Sequence, residues 1–225
     1  MEVAMDQADR GDYVERYERR LREHGHSPAT LGWGKPGREH VRFQVMADVV
    51  EEVDATSVLD VGCGFADLYE HLMRQGWVGR YSGIDIVPGL LAEARERHPT
   101  LDLQEADISA YEPAEDFDVV VASGVFNARL RSGDNEAHIA RSVERMYALC
   151  RRAVCVDFMS TYVDFEHPDA WHTDPAWALE LGHGLTKRLR LRHDYMPFEF
   201  ALVVYRDDEH PGNVFRPLRA GGPAA

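Results

Sequence analysis

Apolar positions near the start of the chain recur at helical spacing. Between Gly11 and about His24, Tyr13, Val14, Tyr17 and Leu21 fall three or four residues apart, which predicts an amphipathic helix. A loop punctuated by glycine and proline follows, Leu31-Gly32-Trp33-Gly34-Lys35-Pro36-Gly37. A second helix is expected from Arg38 to Val53, with Val41, Val45, Met46 and Val49 on its apolar side. The pattern then changes period. Short apolar runs at Ser57–Val61, Tyr81–Asp85, Leu101–Gln104, Phe117–Ala122 and Ala153–Phe158 read as buried strands. They alternate with helices expected at Leu68–Gln75, Pro88–Arg97 and Asn135–Leu149. Strands alternating with helices predict an α/β fold with a mostly parallel sheet covered on both faces. The end breaks the alternation. Only Asp194-Tyr195-Met196-Pro197 separates Arg188–His193 from Phe198–Tyr205, too short a gap for a helix, so the last two strands must be antiparallel.

Three regions follow: a helical lid or cap over 1–55, a main domain over 56–206 with an insertion at about 159–185, and a polar tail over 207–225 expected to fray. At 225 residues the chain is long enough to bury a full core without disulfides. The formal net charge of −14 would repel a phosphate backbone, which argues against a nucleic-acid partner. Lys187, Arg188, Arg190 and Arg192 alternate with leucines and read as the solvated side of a strand. No apolar run reaches membrane-spanning length, and three unframed cysteines suit a reducing cytoplasm. His24, His26, His167 and His172 lack the partners of a zinc site and read as surface residues, so no metal is expected.

The chemistry-bearing segment is Val58-Leu59-Asp60-Val61-Gly62-Cys63-Gly64-Phe65-Ala66-Asp67, a strand running through a glycine turn into a helix. The nicotinamide fingerprint wants a small residue where Asp67 stands, and Asp60 and Asp67 would repel a pyrophosphate. S-adenosylmethionine has no phosphate and carries an ammonium and a sulfonium, which carboxylates favour. Asp85, followed by Ile86, ends the second strand where an acid can accept ribose hydroxyls. Asp107 and Ile108 follow the third strand, placed to take an adenine amine and cover its ring, although an aspartate there also suits a helix cap. Ser123-Gly124 follows the fourth strand and allows close backbone approach beside the sulfonium.

The runs LDVGCGFADLYEHL, YSGIDIVPGLLAEARERHP, EADI and FDVVVASGVFN resemble, in order, the motif series of class I S-adenosylmethionine-dependent methyltransferases. The resemblance covers about Ser57 to Asn127, and the trailing hairpin matches that family's reversed last strand. It implies a Rossmann-like seven-stranded sheet, the methyl donor as cofactor, Asp60, Gly62 and Gly64 at the methionine end, Asp85 at the ribose, and Asp107 and Ile108 at the adenine. Ala66 stands where the family has its third glycine. The flanks LGWGKPGREHVRF, FMSTYVDF and LTKRLRLRHDYMPFEF resemble bacterial small-molecule methyltransferases. A small-molecule acceptor methylated on oxygen or nitrogen is therefore expected, a bacterial secondary metabolite among the candidates.

Tyr13, Tyr17 and Trp33 are expected in the lid, with Trp33 near the cofactor; Arg42 is read first as a solvated or structural arginine and second as a partner for the cofactor's carboxylate. His193 is the first candidate for a base, because histidine titrates near neutral pH, with Tyr195 and Tyr162 as alternatives. Two other classes remain open on sequence: a NAD-dependent oxidoreductase, and a non-catalytic module that keeps the cofactor fold.

Overall fold

The computed structural model describes residues 5–34 and 37–207. Most of the expected tail, 208–225, therefore lies outside the described residues, as do 1–4 and 35–36. The elements run α1 (Gln7–His24), α2 (Pro28–Leu31), α3 (Arg38–Glu52), β1 (Ser57–Val61), α4 (Asp67–Arg74), β2 (Arg80–Asp85), α5 (Pro88–Arg97), β3 (Asp102–Glu105), β4 (Phe117–Ala122), α6 (Asn135–Leu149), β5 (Cys150–Met159), α7 (Pro175–Leu185), β6 (Leu189–Arg192) and β7 (Glu199–Tyr205). A single 3-10 turn, Ile108–Ala110, follows β3.

The seven strands form one sheet in the order β3-β2-β1-β4-β5-β7-β6. Every pairing from β3 to β5 is parallel, and β7 runs antiparallel to both β5 and β6. Because successive side chains point to opposite faces, each central strand feeds two cores. Val58, Val119, Val121, Cys155 and Val203 pack on one face with α3, α4 and α5. Leu59, Val120, Val154, Val156 and Leu202 pack on the other with α6. This double coverage explains why β1 and β4 are buried along their whole length.

The helix expected from Arg38 belongs with the sheet. Phe43, Val45, Met46, Val49 and Val50 of α3 are buried in the larger core cluster, so residues 38–52, grouped with the cap on sequence, are part of the main core. α1 and α2 line the cavity at the sheet's ligand-binding edge, where α3 contributes Arg42 and Phe43. The expected insertion contains α7, whose N-terminus is capped by Asp174 accepting from the Ala176 N–H at 2.9 Å. The arginines of β6 are more than a solvated face, since Arg190 pairs with Glu52 and Arg192 with Asp48, both carboxylates belonging to α3. His172 departs from the surface reading: it is buried, and its Nδ1 hydrogen-bonds with the Ser160 carbonyl at 2.8 Å. All three cysteines are buried and unpaired in disulfides.

Candidate functional site

The turn after β1 is shaped by left-handed backbone. Gly62 has φ +70°, and a Cβ there would meet Val125 Cγ2 at 2.5 Å. Gly64 has φ +53°, with Leu31 of α2 against it. Ala66 occupies the same conformational region, φ +61°, at the head of α4, where the β-carbon costs roughly 1 kcal/mol that a glycine would not. The turn's N–H groups are already engaged: Gly62 and Cys63 donate to the Ile84 carbonyl at 2.8 and 3.0 Å, and Gly64 donates to Asp85 Oδ2 at 2.8 Å. The first turn of α4 carries Asp67 and Glu70. Bonded amides and added negative charge make a poor cradle for a diphosphate.

Around this turn lies a cavity of about 580 Å3 at the carboxyl ends of β1, β2 and β4, the edge where open α/β sheets bind ligands. All the residues singled out for the cofactor line it: Asp60, Gly62, Gly64, Asp85, Ile86, Asp107, Ile108, Ser123, Trp33 and Arg42.

Its carboxylates are costly to keep charged. Burial, partly offset by the hydrogen bond from the Tyr81 hydroxyl at 2.6 Å, pushes Asp60 up to about 7. Burial likewise raises Asp85 to about 6, against the lowering effect of N–H donors from Val87 and Gly64. Crowded acids in low dielectric favour a cation between them. Asp107 also caps the 3-10 turn, its Oδ1 accepting from Ser109 N at 2.9 Å and from Ser109 Oγ at 2.8 Å. Capping and cavity lining are therefore compatible at this residue.

Arg42 forms a buried bidentate ion pair with Glu199, its Nε donating to Oε2 at 2.6 Å. Its guanidinium also lies over the Trp33 ring, 4.5 Å from the centroid. The remaining Nη1 is buried without a partner, as is Trp33 Nε1.

The three residues proposed for proton transfer do not line this cavity. Tyr162 is 67% exposed, and its ring stacks on His193 with centroids 6.1 Å apart. The Tyr195 hydroxyl is buried and unpartnered, and burial drives its pKa up. For His193 and Tyr195 the cause is topological. Strand β7 separates β5 from β6, so β6 ends about 9–10 Å, two strand spacings, farther across the sheet than β5.

Two further residues fix the loop after β4. Asp157, a lone acid in the apolar run of β5, accepts from Ser123 Oγ at 2.5 Å and Gly124 N at 2.7 Å, fixing the loop after β4. Burial raises it to about 6, and Arg42 opposes the shift. Tyr13 of α1 donates to the Val125 carbonyl at 2.9 Å, joining the cap to that loop.

Comparison with known proteins gives four findings. A family model described as a methyltransferase domain matches residues 58–151. A Mycobacterium tuberculosis chain named as a methyltransferase is 33% identical over 162 residues, spanning 69% of this chain and 96% of that one. Trans-aconitate 2-methyltransferase of Rhodopseudomonas palustris is 38% identical over 91 residues, 39% of this chain but only 36% of that enzyme's length. Among solved structures, the N-methyltransferase NodS of Bradyrhizobium japonicum WM9, in complex with S-adenosylhomocysteine, superposes with TM-score 0.62. It covers 87% of this chain and 98% of its own at 17% identity, a likeness of fold.

Proposed function

The chain belongs to the class I S-adenosylmethionine-dependent methyltransferases, and on that footing we propose that it methylates an oxygen or nitrogen of a small molecule. The observation that carries the reading is the cavity itself: buried Asp60 and Asp85 beside a glycine turn with engaged amides, a setting for a cationic nucleoside.

The residues fit the donor. Gly62 and Gly64 leave room that a Cβ would fill, and the orphaned Nη1 of Arg42 suits the donor's carboxylate. Asp85 retains acceptor capacity on both oxygens for the ribose hydroxyls, and Asp107 Oδ2 is placed for the adenine amine beside Ile108. Asp60 faces the ammonium end. Bound there, S-adenosylmethionine supplies a methyl group already activated on positively charged sulfur. The chain's own part is alignment and exclusion of water by Trp33 and the α1 cap. The enzymes named above for trans-aconitate and for N-methylation support a small acceptor, as does the cavity's volume of about 580 Å3. Among the described residues no helix is long and apolar enough to cross a membrane.

The test has two parts. Calorimetry with S-adenosylhomocysteine should show binding that Asp85→Ala weakens by at least about tenfold; undiminished affinity removes the ribose assignment. Labelled methyl donor, offered with pooled small hydroxyl and amine compounds, with RNA and with protein, should label the small compounds. Label confined to a macromolecule sinks the proposal.

A further inference from the structure

Helix α1 sets Tyr13, Arg16, Tyr17 and Arg20 three and four residues apart, so they share a face, and all four line the cavity together with Arg19. The chain carries 39 acidic and 25 basic residues, and several arginines elsewhere pair with carboxylates: Arg97 with Asp67 and Glu70, Arg131 with Asp12, Arg192 with Asp48. Arg16 and Arg19 have no carboxylate among the described residues within ion-pair distance, although Asp12, Glu15 and Asp169 line the same hollow. They also line a second hollow of about 520 Å3, sharing Tyr13, Ala128 and Asp169 with the main cavity. The two guanidiniums therefore stand on the boundary between the cofactor space and an opening beside it.

The donor's own carboxylate has a better partner in Arg42, whose Nη1 is buried and unpaired deep in the wall. Arg20 lies against Gly32, its Nη1 2.7 Å from where a Cβ would stand, on the α2 side of the site. Arg16 and Arg19 are left for a different anion. Resting on the methyltransferase reading, we propose that the acceptor carries a carboxylate and that Arg16 and Arg19 hold it at the mouth between the two spaces. A single negative charge suits the site better than a phosphate dianion, because Glu15 and Asp169 border the same hollow. The two arginines are positioning residues, setting acceptor affinity and orientation.

The test uses the full chain saturated with S-adenosylhomocysteine. Benzoate, succinate and citrate are titrated by calorimetry beside benzamide, succinamide and inorganic phosphate, in the wild type and in Arg16→Ala and Arg19→Ala. At least one carboxylate should bind about tenfold or more tighter than its amide and lose about tenfold in each variant, while S-adenosylhomocysteine affinity stays within about twofold. No carboxylate binding, equal binding of acid and amide, or phosphate binding tighter than every carboxylate overturns the proposal. A comparable loss of S-adenosylhomocysteine affinity in the variants also overturns it, by assigning the arginines to the cofactor. Failure of the wild type to bind S-adenosylhomocysteine instead defeats the functional reading beneath it.

Discussion

Two helices from the first fifty residues make opposite use of the sheet. α3 sinks Phe43, Met46, Val49 and Val50 into the larger core and sends Arg42 to a buried carboxylate from the last strand, 157 positions away. α1 buries only Asp9, and Val14, Tyr17 and Leu21 merely flank a small cluster of Phe65, Val87 and Leu90. Polar tethers complete its attachment: Tyr13 to the Val125 carbonyl, Glu18 accepting from Gly89 N at 2.8 Å, and Asp9 accepting from Arg131 N at 2.6 Å. What they cover differs as well. Beneath α3 lie apolar side chains and a neutralised ion pair; beneath α1 lies a cavity with uncompensated acids. Few apolar contacts and three part-buried hydrogen bonds hold α1, so its separation from the sheet should cost less than global unfolding. One helix therefore builds the core while the other walls the cavity with little apolar anchorage.

The largest expected effect tests that division directly. Met46→Ala in α3, a fully buried site, should cost about 3 kcal/mol in urea denaturation, whereas Leu21→Ala in α1 should cost under about 1 kcal/mol. Equal losses would make α1 part of the cooperative core. Next, titrating S-adenosylmethionine from pH 8 to 5.5 should weaken binding about tenfold or more, because Asp60 and Asp85 protonate near 7 and 6 and so cease to attract the cation. The sign for the empty protein is opposite. Both acids are raised above their unfolded values, so folding stability increases as pH falls through 7 toward 4. Affinity flat across that range would mean the acids beneath α1 stay charged or do not meet the cation. The smallest effect concerns the tethers. Tyr13→Phe combined with Glu18→Ala should leave the urea midpoint nearly unchanged and raise the Kd of S-adenosylhomocysteine by about five- to tenfold, through a lower population of the closed cap. A shifted midpoint with intact affinity would reverse the roles given to the two helices.

Much of the site was legible because its parts are local. A strand, its turn and the acid at its carboxyl end lie within a few residues of one another, so Asp60, Asp85 and Asp107 could be placed on one edge from spacing alone. At Asp107 the sequence offers a helix cap or a cavity wall, and the folded residue is both. Glu199 gave no usable signal: a glutamate opening a strand near the chain's end looks like any surface acid until Arg42 is packed against it.

The amino-acid order alone determined the alternation of strands and helices, the reversal at the end, and the row of carboxylates meeting the cofactor edge, because each follows from periodicity and turn chemistry over a few residues. Tertiary structure alone decided that β7 inserts between β5 and β6, which carries His193 away from the cavity, and that the arginines of α1 face it. Both depend on pairings between residues far apart in the chain, whose free energies are set by the packed whole and leave no mark on local pattern.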